Sequence, residues 1–173
     1  MAIALLRVDE RLIHGQVVIA WGNHLRSRRY VVLDDDLADS EWEQDLYRLA
    51  VPHKAEACFY RVDEAPRLFR ELRQDPTATV VLFRNLMAAM AVDPAAWEAG
   101  DALNLGMLHH KEGSSAVRSY LHLDEGDRAA VKALGALGVR VYGRDLPSSS
   151  PVDASEILGD RSRTDSGEVP SGE

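Results

Sequence analysis

The sequence predicts an α/β fold: an open, mostly parallel sheet of about seven strands with helices on both faces. Three observations predict it. Short runs rich in β-branched and other apolar residues recur along the chain, and segments of helical period lie between most of them. The runs are apolar throughout rather than alternating, as strands covered on both faces are. Strands that take turns with helices build βαβ units, which fold with a right-handed crossover.

The elements follow in order. IALLRV (3–8) is the first strand, and VVIAWGNHL (17–25) the helix that leaves it. YVVLD (30–34) is the second strand; Ser40 followed by Glu43 makes a capping box for the helix in SEWEQDLYRLAV. ACFYRV (57–62) is the third, and Asp63 is placed to cap DEAPRLFRELRQ, with Pro66 in the first turn, where its missing N–H costs little. TVVLF (79–83) precedes the helical segment NLMAAMAVDPAAWEAG, and ALNLG (102–106) and SYLHL (119–123) are further strands. Asp124 caps DEGDRAAVKALGALG, Gly138 ends it, and VRVYG (139–143) is the last strand.

These elements fit one domain, residues 1–146, long enough to bury a proper core. Pro147 to Glu173 is rich in Ser, Pro, Gly and acid, with six acidic and two basic residues, net −4 of the chain's −8. Such a composition is expected to form a disordered tail, dispensable for folding beyond about Ser150, in which only VDASEIL (152–158) could make a helical turn or two. The acidic balance, with a pI near 5.2, argues against sequence-independent nucleic-acid binding. Cys58 is the one cysteine, so no disulfide forms within the chain, which fits a reducing compartment. The N-terminal apolar stretch is too short for a signal peptide, and no run approaches a membrane span. The expected location is the cytoplasm.

Chemistry concentrates at RVDERLIHGQVVIAW (7–21), where the first strand runs into a charged cluster and then a helix. Ligands of open α/β sheets bind outside the carboxyl ends of the strands, where this cluster lies. Gly15 permits close backbone approach, and the free N–H groups of Gly15, Gln16 and Val17 at the helix start favour an anion. Arg11 offers a planar cationic fork suited to phosphate. His14, expected to be an exposed loop side chain, offers an imidazole that is neutral for much of the time at pH 7. Asp9 is placed to fix its tautomer or to hold Arg11. Nucleophile, anion cradle and cationic clamp are the parts of a phosphoryl-transfer site. The plain alternative for His14 is a helix cap or surface residue. Neither a dinucleotide fingerprint nor a P-loop is present.

VDERLIHGQVVIAW resembles the D-x-R-L-I-H-G-Q signature of the IIB subunits of the mannose/fructose/sorbose class of sugar phosphotransferase systems. The similarity continues through VVLDDDLA (31–38), LNLGMLHHKEG (103–113), LDEGDRAAVKALGALGVRV (123–141) and RDLPSSSP (144–151), and so covers about residues 3–151. The resemblance implies a phosphocarrier. His14 would take a phosphoryl group from a phosphohistidine on a IIA partner and pass it to a sugar arriving through membrane subunits IIC and IID. Arg11 would stabilise the phosphoryl group, Asp9 would orient, and attachment would be to Nδ1. No metal or cofactor is implied. The protein would work in the cytoplasm, peripheral to the inner face of the membrane, and a second copy of the chain is a further candidate partner. A different class, a regulatory phosphorylation switch without sugar transport, would use the same histidine, and a binding domain with no covalent step is a third reading.

Asp34, Asp35 and Asp36 end the second strand, where one of them can reach Arg11 or the His14 ring; a turn and helix cap is the plainer role. Gly106, Lys111, Glu112 and Gly113 match the family pattern, while Met107 stands where its second glycine would be and His110 replaces an aromatic. His109 is read as structural, Trp21 as core, and Arg26, Arg28 and Arg29 as a solvated turn.

Overall fold

The structure, a computed structural model, describes residues 3–159. Six strands form a wholly parallel sheet: β1 (Ile3–Val8), β2 (Arg29–Leu33), β3 (Glu56–Tyr60), β4 (Thr79–Phe83), β5 (Ala102–Leu105) and β8 (Arg140–Gly143), in the order β3-β2-β4-β1-β5-β8. The predicted seventh strand, SYLHL, is not in this sheet. Its Leu121–Leu123 (β7) pairs antiparallel with Ser115–Arg118 (β6) in a separate hairpin. The sequence hides β6 because SAVR is largely exposed and has no apolar signature.

Parity along the strands divides the core. Leu6 and Val8, Val31 and Leu33, Val81 and Phe83, Leu103 and Leu105 point to one face. There they meet α4 (Ala65–Gln74), α5 (Leu86–Met90), α6 (Glu125–Ala136) and α7 (Ala154–Leu158) through Phe69, Leu86, Leu134 and Ile157. Leu5, Tyr30, Val32, Val80 and Leu82 point to the other face. That face is covered by a π-helical segment (Gln16–Trp21) continuing into α1 (Gly22–Leu25), by α2 (Asp35–Ala38) and by α3 (Glu41–Ala50). The wide π turn is a rare geometry that recurs at functional sites.

The helix starts follow short polar side chains. Asp124 accepts from the Asp127 amide at 2.7 Å while Asp127 accepts from the Asp124 amide at 3.1 Å, and Gly138 (φ +85°) closes α6. Asp34 caps α2 and Asn85 caps α5. Two expected caps differ. Ser40 donates to the Glu43 carboxylate but caps no backbone amide. Asp63 sits within a 3₁₀ turn (Val62–Glu64), so α4 starts later, at Ala65 with Pro66 in its first turn.

The tail expectation needs correction for residues 147–159. Val152, 1% exposed, pairs with Gly143 on the edge strand β8 through two backbone hydrogen bonds of 2.7 and 2.8 Å. Asp153 then caps α7, which sinks Ile157 (0% exposed) into the core. Two apolar anchors on a ready-made edge suffice to order a segment whose average composition is polar. Residues 160–173 lie outside the described residues.

Candidate active site

The central strand β1 ends between β4 and β5, and residues 9–15 form the loop at its carboxyl end. The loop opens with a tight turn in which the Leu12 amide donates to the Asp9 carbonyl at 2.9 Å. Leu12 takes a left-handed conformation (φ +52°) that costs a non-glycine residue about 1–2 kcal/mol. Its side chain is fully buried in the second-face core, which holds the turn in that shape.

Asp9 is the hub of the loop and is wholly buried. Its Oδ2 accepts from Arg7 Nε at 3.1 Å and Nη2 at 2.8 Å, and from the Met107 amide at 3.4 Å. Its Oδ1 accepts from the Arg11 amide at 3.1 Å. The same oxygen lies 3.2 Å from His14 Nε2, within ion-pair distance but without the angle of a well-formed hydrogen bond. Burial pushes the Asp9 carboxyl up, but His14 and Arg7 beside it outweigh that and hold it below the usual carboxylate range.

Arg7 is the residue that sequence reasoning missed. It is completely buried, stacks on Trp21 at 5.6 Å, and donates to the Asn104 side chain, to the Arg144 carbonyl at 2.9 Å and to the Asp145 carbonyl at 3.4 Å. Burial lowers its pKa from the ordinary arginine value, with Asp9 opposing. The signal was present in IALLRV: one cation in an apolar strand, two residues before Asp9 and so on the same face. Gly106 belongs to this arrangement rather than to a phosphate cradle. A Cβ there would lie 2.3 Å from the Arg7 guanidinium, so only glycine leaves it room. Trp21 is core, as expected, and donates to the Asp145 carbonyl at 2.8 Å. The RDLPSSSP stretch thus supplies carbonyls that hold the ion pair from the β8 side.

His14 is not an exposed loop side chain: it keeps 8% of its side-chain accessibility, and Nδ1 has no hydrogen-bond partner among the described residues. Arg11 is exposed, its Nη1 4.0 Å from the Met107 sulfur, and it makes no ion pair among the described residues. Asp9 therefore braces the loop through Arg7, not through the Arg11 guanidinium. The amides of Gly15, Gln16 and Val17 have no acceptor among the described residues. Asp34 reaches neither His14 nor Arg11; it caps α2 through Leu37 at 2.9 Å and accepts from Arg84 Nε at 2.6 Å. His109 pairs with Glu10 on the loop, and the His110 and His122 rings meet edge to face at 5.8 Å. Lys111 is tied to Asp124 and Asp127, at 2.7 and 2.9 Å. Among the described residues no group of three or more His, Cys, Asp and Glu side chains could hold a metal ion, and no helix is long and apolar enough to cross a membrane. The arrangement sets one imidazole beside a carboxylate held below the usual carboxylate range, with unpaired amides and a free guanidinium close by in the chain.

Residues 3–168 match the family model described as the sorbose subfamily IIB component of the phosphotransferase system. The chain is 27% identical over 161 residues to the fructose-specific EIIB component of Bacillus subtilis, covering 91% of this chain and 96% of that one. It is likewise 27% identical to the sorbose-specific EIIB component of Lacticaseibacillus casei, covering 91% and 94%. Among solved structures, the IIB domain of the sorbose permease from Klebsiella pneumoniae superposes with a TM-score of 0.80 at 26% identity, covering 92% and 98% of the two chains.

Proposed function

The chain belongs to the sorbose subfamily of phosphotransferase-system IIB components, and from that premise we propose that His14 is its phosphoryl carrier, loaded from a phosphohistidine on IIA and discharged to a sugar held by IIC and IID. The observation that carries this reading is the Arg7–Asp9–His14 line at the end of the central strand. Arg7 keeps Asp9 ionised, and Asp9 faces Nε2. A proton on Nε2 leaves the lone pair on Nδ1, so Nδ1 is the nucleophile.

In loading, the donor's P–N bond breaks as the Nδ1–P bond forms, and the donor imidazole departs with the electron pair. The His14 ring becomes cationic, and the buried Asp9 carboxylate stabilises that charge. In unloading, the Nδ1–P bond breaks as a sugar oxygen bonds phosphorus, and the sugar's hydroxyl proton leaves to a base on the acceptor side. Between the two steps the protein's task is positioning and electrostatic stabilisation of the equatorial oxygens. The amides of Gly15, Gln16 and Val17 and the Arg11 fork supply it. Because Nδ1 is covered, the side chains over it must move aside when a partner arrives, with the Asp9–Nε2 contact kept.

The test is acid-labile phosphate on the chain after incubation with phosphoenolpyruvate and the upstream carriers, followed by rapid-quench rates. His14→Ala abolishes loading. Arg11→Ala slows loading and unloading by about a hundredfold, the ~3 kcal/mol of a lost charged donor, and Arg11→Lys recovers only part. Undiminished label in His14→Ala would move the site to another histidine.

A further inference from the structure

Helix α3 turns one large apolar side chain inward, Tyr47 against Phe59, and three outward. Its buried residue is a glutamine: Gln44 Nε2 donates to the Leu37 and Ala38 carbonyls, both at 3.0 Å, and its Oε1 accepts from Arg48 at 2.9 Å. Its outer face carries Trp42, Leu46 and Leu49, which are 68, 58 and 83% exposed. A lone surface helix normally shows the reverse pattern. The other large exposed apolar side chains among the described residues, Ile19, Met87 and Leu137, lie outside α3. The stripe begins beside the active site. Ile13, the residue before His14, floors a cavity of about 310 Å³ whose walls are Trp42, Glu43, Leu46, Tyr47 and Ala50.

We propose that this stripe and cavity are the docking surface for the phosphoryl donor, a protein whose own histidine is surrounded by apolar side chains rimmed with lysine and arginine. The inference rests on the reading of His14 as the carrier. Direct transfer brings the reacting atoms within about 3–3.5 Å, so the donor's surface must lie over Ile13 and His14. A specific interface covers about 800 Å² per partner, with an apolar centre where tryptophan is favoured. That footprint reaches well past the loop, and the α3 stripe is the apolar surface continuous with it. The rim sets the partner's sign. Glu41, Glu43 and Asp36 stand at or just before the start of α3, and no cation pairs with any of them among the described residues. The sugar-bearing subunits must reach the same nitrogen, so donor and acceptor compete for this edge instead of binding together.

Trp42 reports on the surface directly, because Trp21 and Trp97 are buried at 3 and 7% exposed. Titrating the full chain with unphosphorylated IIA of the same system should shift tryptophan emission to the blue and protect it from acrylamide, and Trp42→Phe should remove both changes. Leu46→Asp should raise the IIA concentration that half-saturates loading by at least about tenfold, as loss of a central apolar contact does. Its melting temperature, and its loading by the small donor phosphoramidate, should not change. Unaltered emission together with unaltered half-saturation would overturn the proposal. So would a concentration-dependent dimer, seen by sedimentation and abolished by Leu46→Asp, which would give the surface to a second copy. If phosphoramidate and IIA both fail to label the wild type, the carrier reading of His14 falls, and the emission titration alone decides whether IIA docks here.

Discussion

On the face covered by α4, α5, α6 and α7, strand β1 presents Leu6 and Val8 to a core closed by hydrocarbon. On the opposite face the same strand presents Leu5 and then, where the next apolar residue would stand, the buried cation of Arg7. The first face can tolerate any side chains of suitable volume. The second depends on a particular pair of charges, since breaking a buried ion pair strands the survivor in a low dielectric. The difference shows where this fold gives up packing for fixed geometry: beside the His14 imidazole.

The comparison is broken most severely by Asp9→Leu. It leaves Arg7 unpaired and should cost about 3–5 kcal/mol, read as a melting temperature lower by roughly 6–20 °C. The double change Arg7→Met with Asp9→Leu should recover most of that stability while leaving His14 slow to load, because hydrocarbon can replace the pair in packing but not in orienting the ring. If the double variant stays as unstable as the single one, the second face is not interchangeable with the first. On the hydrocarbon face, Ile157→Ala should cost about 2–5 kcal/mol in urea unfolding with the phosphoryl-transfer rate per folded molecule unchanged. That also tests whether residues 151–159 belong to the folded unit.

Acid sharpens the contrast. The folded-state pKa of Asp9 is depressed below its unfolded value, so the unfolded chain takes up the proton first. The stability Asp9 contributes is therefore complete above about pH 4 and is lost as pH falls through the folded value. The wild type should lose more stability below pH 4 than the double variant does, and equal slopes would mean Asp9 is not depressed. The smallest effect is expected outside both cores. Trp42→Ala should change stability by no more than about 0.5 kcal/mol, despite removing the largest exposed side chain of α3.

What could be read from the residues follows the same division. Continuous apolar runs betray a strand buried on both sides, and six of the predicted strands take their places in the sheet. The His14 loop drew attention because its residue types suit one chemistry and because its motif resembles that of the IIB family. Arg7 escaped notice because a single charge in a strand looks like a defect until its partner across the sheet, Asn104, is known. In the segment 147–159 the helical turn of VDASEIL was legible, but its docking was not, because Val152 and Ile157 are too few to change a compositional average. Gly106 was singled out only as a match to the family pattern, since nothing local says that an arginine from a neighbouring strand lies against it.

The position of β1 has a consequence in time as well as in space. It is made before every strand that flanks it and lies at the centre of the sheet, yet its hydrogen-bonding neighbours are β4 and β5, and Arg7 meets Asn104 across 97 residues of chain. At about 5–20 residues per second, synthesis of that stretch takes on the order of 5–20 s. Until then the first strand can pair only with β4, and its arginine lacks the β5 side of its interior. Contacts this distant in sequence also make folding slow. The nascent chain thus presents His14 early, but the arginine that braces the neighbouring Asp9 cannot reach Asn104 until β5 has emerged.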